Sequence, residues 1–262
     1  MIKLCVFDID GTLVAKKSQK IGEHTIETLQ NLKKQGIKIA IASGRPPFAI
    51  DKRILDHVDF DYFICSNGAC VLEGNGDVVH QYTFTKTLAD QLIERFRSHD
   101  YALQFQCMDT IHVYNRYTYI ANMLKGFLGR TDYLINATME AEYVHKDLPL
   151  AAVAQVNDDQ IDNFKETFPE LTFTPFAPCH YDINGQHTKA DGILHICEKL
   201  HCTYDDVAAF GDDFNDESML LKCGYGIAMG NAKEEMKQIA NYVTKNSEDD
   251  GIYEACKYYG WI

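Results

Sequence analysis

No apolar stretch in the 262 residues approaches the roughly 20 that a membrane-spanning helix needs. The first apolar run, Leu4 to Phe7, meets Asp8 after four residues, so the layout of a signal peptide is missing. Positive charge is in deficit. The 25 lysines and arginines face 38 aspartates and glutamates, for a formal net charge of −13. That excludes the basic surface on which sequence-independent nucleic-acid binding or docking to anionic lipid depends. Nine cysteines are present, an odd number, and none stands in a C-x-x-C pair. Neither a zinc ribbon nor a thioredoxin motif is supported, and a reduced, cytoplasmic protein with buried thiols is expected. Internal repeats, low-complexity tracts and long linkers are also lacking. What remains is an ordinary globular composition, 46% hydrophobic and 24% charged.

The order of apolar patterns predicts the organisation. Leu4 to Phe7 is a short continuous apolar run, the pattern of a strand buried on both faces of a parallel sheet, and Ile37 to Ala42 and Tyr62 to Cys65 are read as further buried strands. A helical stretch over Glu23 to Gln35 separates the first two, with Gly36 as its stop. Strand, helix, strand reads as a right-handed βαβ unit of a doubly wound sheet. From about Thr83 the character changes to helices mixed with hairpin-like strands, such as 102–107 with 110–114. The alternating pattern returns with a helix over 189–200, a buried strand over 207–210, and shorter elements to 252–259. The expected architecture is an α/β core with a doubly wound, mostly parallel sheet, made of residues 1–82 and 184–262. An α+β segment, 83–183, is inserted into it.

Three polar clusters end apolar strands. They are Asp8 and Asp10 with Gly11-Thr12, then Ser43-Gly44, then Asp212-Asp213 with Asn215 and Asp216. In an open parallel sheet, ligands bind beyond that edge, so the three clusters predict one convergent site. Crowded carboxylates must bind a cation or share protons, and hard oxygen donors with room for water suit Mg²⁺. Ser43 offers a hydroxyl, Gly44 lets backbone N–H groups approach a phosphate, and Lys189 supplies a compact positive charge. A carboxylate can attack phosphorus, and a second acid can protonate the leaving oxygen and then activate water.

These residues carry a family resemblance. Asp8-Ile9-Asp10-Gly11-Thr12-Leu13, Ser43-Gly44-Arg45, Lys189 in Thr188-Lys189-Ala190-Asp191-Gly192, and Gly211-Asp212-Asp213-Phe214-Asn215-Asp216 resemble the four motifs of the haloacid dehalogenase superfamily. With a large insertion between the second and third motifs, the chain is similar to the Cof-type phosphatases, whose inserted cap is of type C2B. The resemblance implies roles. Asp8 would be the nucleophile and Asp10 the general acid/base. Asp8, the Asp10 carbonyl and Asp212 would hold Mg²⁺, with Asp216 supporting the metal's water shell or orienting Lys189. Ser43, Gly44 and Lys189 would bind the phosphoryl group, Asn215 would fix the loop or the phosphate, and Arg45 and Asn67 would lie at the substrate edge. Ala190 departs from the glycine that many relatives carry. The implied substrate is a small phosphorylated metabolite, a sugar phosphate first and a phosphorylated cofactor next.

Plainer readings stand beside these. Ser43 can cap a helix while also binding phosphate, and Asp213 is read as a turn residue rather than a ligand. The ten histidines show no metal-ligand spacing. Tyr114, Tyr117 and Tyr119 are read as packing. Two rival functions use the same groups: a phosphomutase working through the same aspartyl phosphate, and a phosphoacceptor signalling domain without turnover. Nothing in the sequence bears on oligomeric state.

Overall fold

In the computed structural model, residues 2–50, 52–128 and 131–262 are described. The chain runs through β1 (Leu4–Phe7), α1 (Glu23–Lys34), β2 (Lys38–Ala42), α2 (Lys52–Leu55), β3 (Tyr62–Cys65), β4 (Cys70–Glu73) and β5 (Val78–Gln81). It continues with α3 (Lys86–Ser98), β6 (Leu103–Gln106), β7 (Ile111–Asn115), α4 (Tyr117–Leu128), β8 (Leu134–Asn136), β9 (Ala151–Gln155), α5 (Ile161–Thr167), β10 (Thr172–Ala177) and β11 (His180–Asn184). It ends with α6 (Lys189–Leu200), β12 (Val207–Gly211), α7 (Glu217–Lys222), β13 (Tyr225–Ala228), α8 (Glu234–Ile239), β14 (Tyr242–Val243) and α9 (Gly251–Tyr258). Two compact units result. One comprises Met1–Gly44, Asp51–His80 and Thr188–Ile262, the other Arg45–Ile50 and Gln81–His187.

The first unit is built on an eight-stranded sheet in the order β14-β13-β12-β1-β2-β3-β4-β5. Neighbours from β14 to β3 are parallel, and β4 returns antiparallel to β3. The doubly wound, mostly parallel sheet expected from the apolar runs is thus present. The strands form because Leu4–Phe7 and Val207–Gly211 can be buried at every position, as a sheet covered on both faces requires. From β1 the chain steps to β2 on one side and later fills β12 on the other. The order therefore reverses at β1, and the carboxyl ends of β1 and β12 flank the switch point where α/β sheets bind ligands. Register pairs Phe7 with Phe210, whose rings stack at 4.8 Å. On one face α6 packs Ile193, Ile196 and Cys197 into a core with Val6, Ala40 and Ile64.

The second unit carries a six-stranded sheet, β10-β11-β9-β6-β7-β8, antiparallel except for the β7–β8 pair. Leu92, Ile93 and Phe96 recur at helical spacing and bury one face of α3 against Phe105, Tyr114 and Phe164. Thr85 caps α3 by accepting from the Leu88 N–H at 3.2 Å.

The sequence patterns miss β4, β5, β8 and α2. The turn Gly74-Asn75-Gly76 between β4 and β5 is a hairpin signal, and Asn75 accepts from the Asp77 N–H at 3.0 Å. β8 has three residues, too few for a period. All nine cysteines are free thiols, seven of them buried. Among the described residues, no helix is long and apolar enough to cross a membrane.

Candidate active site

Parallel pairing of β1 with β12 decides what meets at the switch point. The Asp8 N–H donates to the Phe210 carbonyl at 3.0 Å, so Asp8 and Asp212 leave adjacent strands side by side. Asp216 arrives through a short helical turn, Phe214–Asp216, that folds back on the strand end. Oxygens of Asp8, Asp212 and Asp216 lie within 4.8 Å of one another, and all three side chains are buried.

Lys189 joins them from α6. It is the first residue of that helix, set there by a capping box. The Thr188 side chain accepts from the Asp191 N–H, and the Asp191 carboxylate accepts from the Thr188 N–H at 2.8 Å. Ala190 is compatible with this start, since it is fully buried at the second position. The Lys189 ammonium donates to Asp8 Oδ1 and Asp216 Oδ1, each at 2.6 Å, and its side chain is wholly buried. Burial disfavours its charge, but Asp216 and Asp8 outweigh that and hold its pKa above the ordinary lysine value.

Each remaining oxygen has its own task. Asp216 Oδ2 accepts the backbone N–H groups of Asp212 and Asp213 at 2.8 and 3.0 Å. Both Asp216 oxygens are therefore engaged, one on the lysine and one on the loop. Asp212 Oδ1 accepts from the Thr12 hydroxyl at 3.1 Å, and Oδ2 from the Lys16 ammonium at 2.6 Å. Even so, burial and then the charge of Asp8 push the Asp212 carboxyl up to about 6. Negative charge is under-compensated at Asp212, and the donors are hard oxygens. The residues present fit a divalent cation such as Mg²⁺.

Gly11 is required by this crowding. Its φ is +108°, and a Cβ there would stand 2.4 Å from Asp212 Oδ2. Its carbonyl accepts from Asn231 Nδ2 at 2.8 Å, which ties the first loop to the one after β13.

A second cluster follows β2. Ser43 is buried, and its carbonyl accepts the Asn67 N–H at 3.0 Å. Asn67 sits in the left-handed region at φ 55°, and its side-chain oxygen accepts from Asn215 Nδ2 at 3.0 Å. A Cβ on Gly44 would come 3.2 Å from that same oxygen. Asn67 thus links the Ser43–Gly44 turn to the Asp212–Asp216 loop.

The structure gathers oxygens of Asp8, Asp212 and Asp216 within 4.8 Å of one another, bonds Lys189 to Asp8 and Asp216, and places Ser43, Gly44, Asn67 and Asn215 in the adjoining network. Asp10 is exposed on the turn after β1, bridged to Val14. Arg45 clusters with the second unit, where its guanidinium donates to the Ala49 carbonyl at 3.4 Å. Asp213 caps the turn and pairs with Lys233 at 2.6 Å, outside the carboxylate group. Tyr114 is core, whereas Tyr119 is partly exposed and hydrogen-bonds the His180 ring at 2.6 Å. The motifs assign no role to the Thr12 hydroxyl or to Lys16. Thr12 lies inside the first motif, which was the available signal. Lys16 has none, because Lys17 beside it is chemically identical.

A family model described as haloacid dehalogenase-like hydrolase matches residues 5–256. The Bacillus subtilis protein YkrA is 33% identical over 99% of this chain and 98% of its own length. Also from Bacillus subtilis, the 5-amino-6-(5-phospho-D-ribitylamino)uracil phosphatase YitU is 29% identical over 98% of this chain and 97% of its own. Among solved structures, the sugar phosphatase BT4131 of subclass IIB superposes with a TM-score of 0.86 at 28% identity, covering 99% of this chain and all of its own. The chain belongs to the haloacid dehalogenase-like hydrolases, among their Cof-type phosphatases.

Proposed function

We propose that the protein is a Mg²⁺-dependent phosphomonoester hydrolase acting through an aspartyl phosphate on Asp8. The observation that carries the reading is the buried Lys189 bonded at once to Asp8 and Asp216. It fixes one Asp8 oxygen and leaves the carboxylate's second oxygen to attack phosphorus. The new oxygen–phosphorus bond forms as the ester oxygen departs, and Asp10 gives that oxygen its proton. Asp10 then takes a proton from water, which attacks the same phosphorus. Inorganic phosphate leaves and the Asp8 carboxylate is restored. Exposure of Asp10 at the turn suits a group that must meet both leaving alcohol and water.

Asp8, the Asp10 carbonyl and Asp212 would hold the cation, which when bound neutralises phosphoryl charge and aligns it for in-line displacement. Asp216 has both oxygens occupied and serves here to orient Lys189 and the loop. Lys189, the Ser43 hydroxyl and the backbone of Gly44 would receive the transferred phosphoryl group, with Asn67 and Asn215 holding that turn in place. Catalysis is then mainly positioning and charge stabilisation. The second unit is proposed as the cap that selects the leaving group, with Arg45 as a substrate-edge candidate within it.

Small phosphorylated metabolites are the proposed substrates. Sugar phosphates come first, supported by the likeness to BT4131. Phosphorylated metabolites of cofactor type come next, supported by the likeness to YitU. The test is a metabolite panel with Mg²⁺, read as phosphate release and ranked by kcat/KM. Asp8→Asn should lose at least about 10⁴-fold in kcat while keeping the fold. Isomerised sugar phosphate without free phosphate would instead indicate a mutase, and a stable phosphoprotein without turnover a signalling domain. Retained activity in Asp8→Asn would remove Asp8 as nucleophile.

A further inference from the structure

Lys16 is the one lysine shown bonded to Asp212, and neither the motifs nor the proposed chemistry assigns it a task. Its ammonium lies 2.6 Å from Asp212 Oδ2, an oxygen of the carboxylate proposed to hold the cation. The carboxylate is fully buried and the lysine side chain is half-exposed. The stem crosses Gly11 closely, since a Cβ on that glycine would be 2.6 Å from Lys16 Cε. Its loop is anchored rather than loose. Glu248 accepts the N–H groups of Lys17 and Ser18 at 3.0 Å each, and Gln19 Nε2 donates to the Lys16 carbonyl at 2.8 Å. The adjacent backbone is also closed, with the Ala15 N–H on the Lys20 carbonyl at 3.1 Å.

An ammonium and a divalent cation held on the same carboxylate oxygen repel each other at close range, so each weakens the other's hold. We propose that Lys16 is a tethered competitor of the metal: it holds Asp212 Oδ2 as an internal counter-ion and must yield that oxygen when the cation binds. This rests on the reading of Asp212 as a metal ligand. The anchored loop keeps the ammonium at high local concentration beside Asp212, so the competition is intramolecular and needs no partner. The half-exposed stem gives the ammonium an exit to water when it is displaced. Lys16 thereby sets the metal concentration at which the enzyme switches on, and it reduces the uncompensated negative charge of the metal-free pocket. Lys189 cannot play this part, because it is buried and its two bonds go to Asp8 and Asp216.

The experiment is isothermal titration calorimetry of the full chain with MgCl₂ and no substrate, on wild type, Lys16→Met, Lys17→Met and Asp212→Asn. Metal-free melting temperatures are recorded alongside. Lys16→Met should bind Mg²⁺ about three- to tenfold more tightly, the range for a half-exposed charge-assisted pair. It should also melt earlier than wild type without metal and gain more from Mg²⁺. Lys17→Met removes the same formal charge from the next position and should change affinity by less than about twofold, which separates the specific bond from the general field. Unchanged or weaker Mg²⁺ binding in Lys16→Met, with binding still lost in Asp212→Asn, would overturn the competitor role and leave the metal site standing. Wild-type strength binding in Asp212→Asn would overturn the metal-site reading itself.

Discussion

Replacing Lys189 by Met is the most exacting perturbation of the site. The side chain is fully buried, and its ammonium holds two carboxylates at 2.6 Å each. Methionine matches the stem in length and flexibility, so packing is nearly kept and the change isolates the charge. Deleting one partner of a buried ionic group costs about 3–5 kcal/mol, because the other is left uncompensated. Here two carboxylates are left, Asp8 and Asp216. One relief is available. Burial already raises the Asp216 carboxyl, with Lys189 opposing the rise, so losing the lysine lets Asp216 take up a proton. The sign follows from linkage. A carboxyl whose folded pKa lies above its unfolded value binds more protons when folded, so stability falls as pH rises through the folded pKa.

The loss in Lys189→Met should therefore be smallest near pH 6 and grow toward pH 8.5. At pH 7.5 it should lower the metal-free melting temperature on the order of 10 °C, taking roughly 2–4 °C per kcal/mol for a domain of about this size. The assay is thermal and urea denaturation by circular dichroism in a chelator, across that pH range. A companion variant checks the cause. Asp216→Asn keeps an oxygen for the Asp212 and Asp213 N–H groups but removes the charge. Combined with Lys189→Met it should be less damaging than the two losses summed, by about 1–3 kcal/mol. If Lys189→Met lay within about 1 kcal/mol of wild type, or if the two changes simply added, Lys189 would not be the buried bridge described.

Further expectations concern chemistry and the second unit. Asp10→Asn should slow both formation and breakdown of the phosphoenzyme by about 10²–10⁴-fold. Rapid-quench trapping of labelled Asp8 would show this, and equal rates in variant and wild type would end its acid/base role. Burial first, then the neighbouring His145 ring at 3.7 Å, pushes the His112 pKa down to about 4, against weaker upward pulls from Asp109 and Asp147. An imidazole whose folded pKa is depressed stays neutral when folded while the unfolded chain takes up a proton. Stability should then fall as pH drops from about 6.5 to about 4, by on the order of 3 kcal/mol. His112→Gln should flatten that slope in pH-dependent urea melts, and an undiminished slope would assign the effect elsewhere.

Strand ends were legible because burial on both faces forces continuous apolar runs. Leu4 to Phe7 and Val207 to Phe210 could belong to little else, and the acid that ends each run marks the ligand edge. The start of α6 was legible for a related reason, since Thr188 and Asp191 stand at capping-box spacing. Which residues gather at the site follows from that much. Which atom bonds which does not, because it depends on rotamers and on register between segments far apart in sequence. Asn67 and Asn215 are 148 positions apart and share one hydrogen bond, set by the left-handed backbone at Asn67 and the turn that carries Asn215.

Asp216 shows the same limit more sharply. Its motif position fits a metal ligand as well as a lysine partner. The turn over Phe214–Asp216 aims Oδ2 at two backbone N–H groups and Oδ1 at Lys189, an arrangement that no motif spacing records. Lys16 is the extreme case. Two adjacent lysines on one loop differ in nothing a pattern records. The close approach of the Lys16 stem to Gly11 carries its ammonium to Asp212, while Lys17 offers its backbone N–H to Glu248. Spacing can nominate the carboxylates that call for a cation. The choice among the cations that answer is made by the loop's path over one glycine.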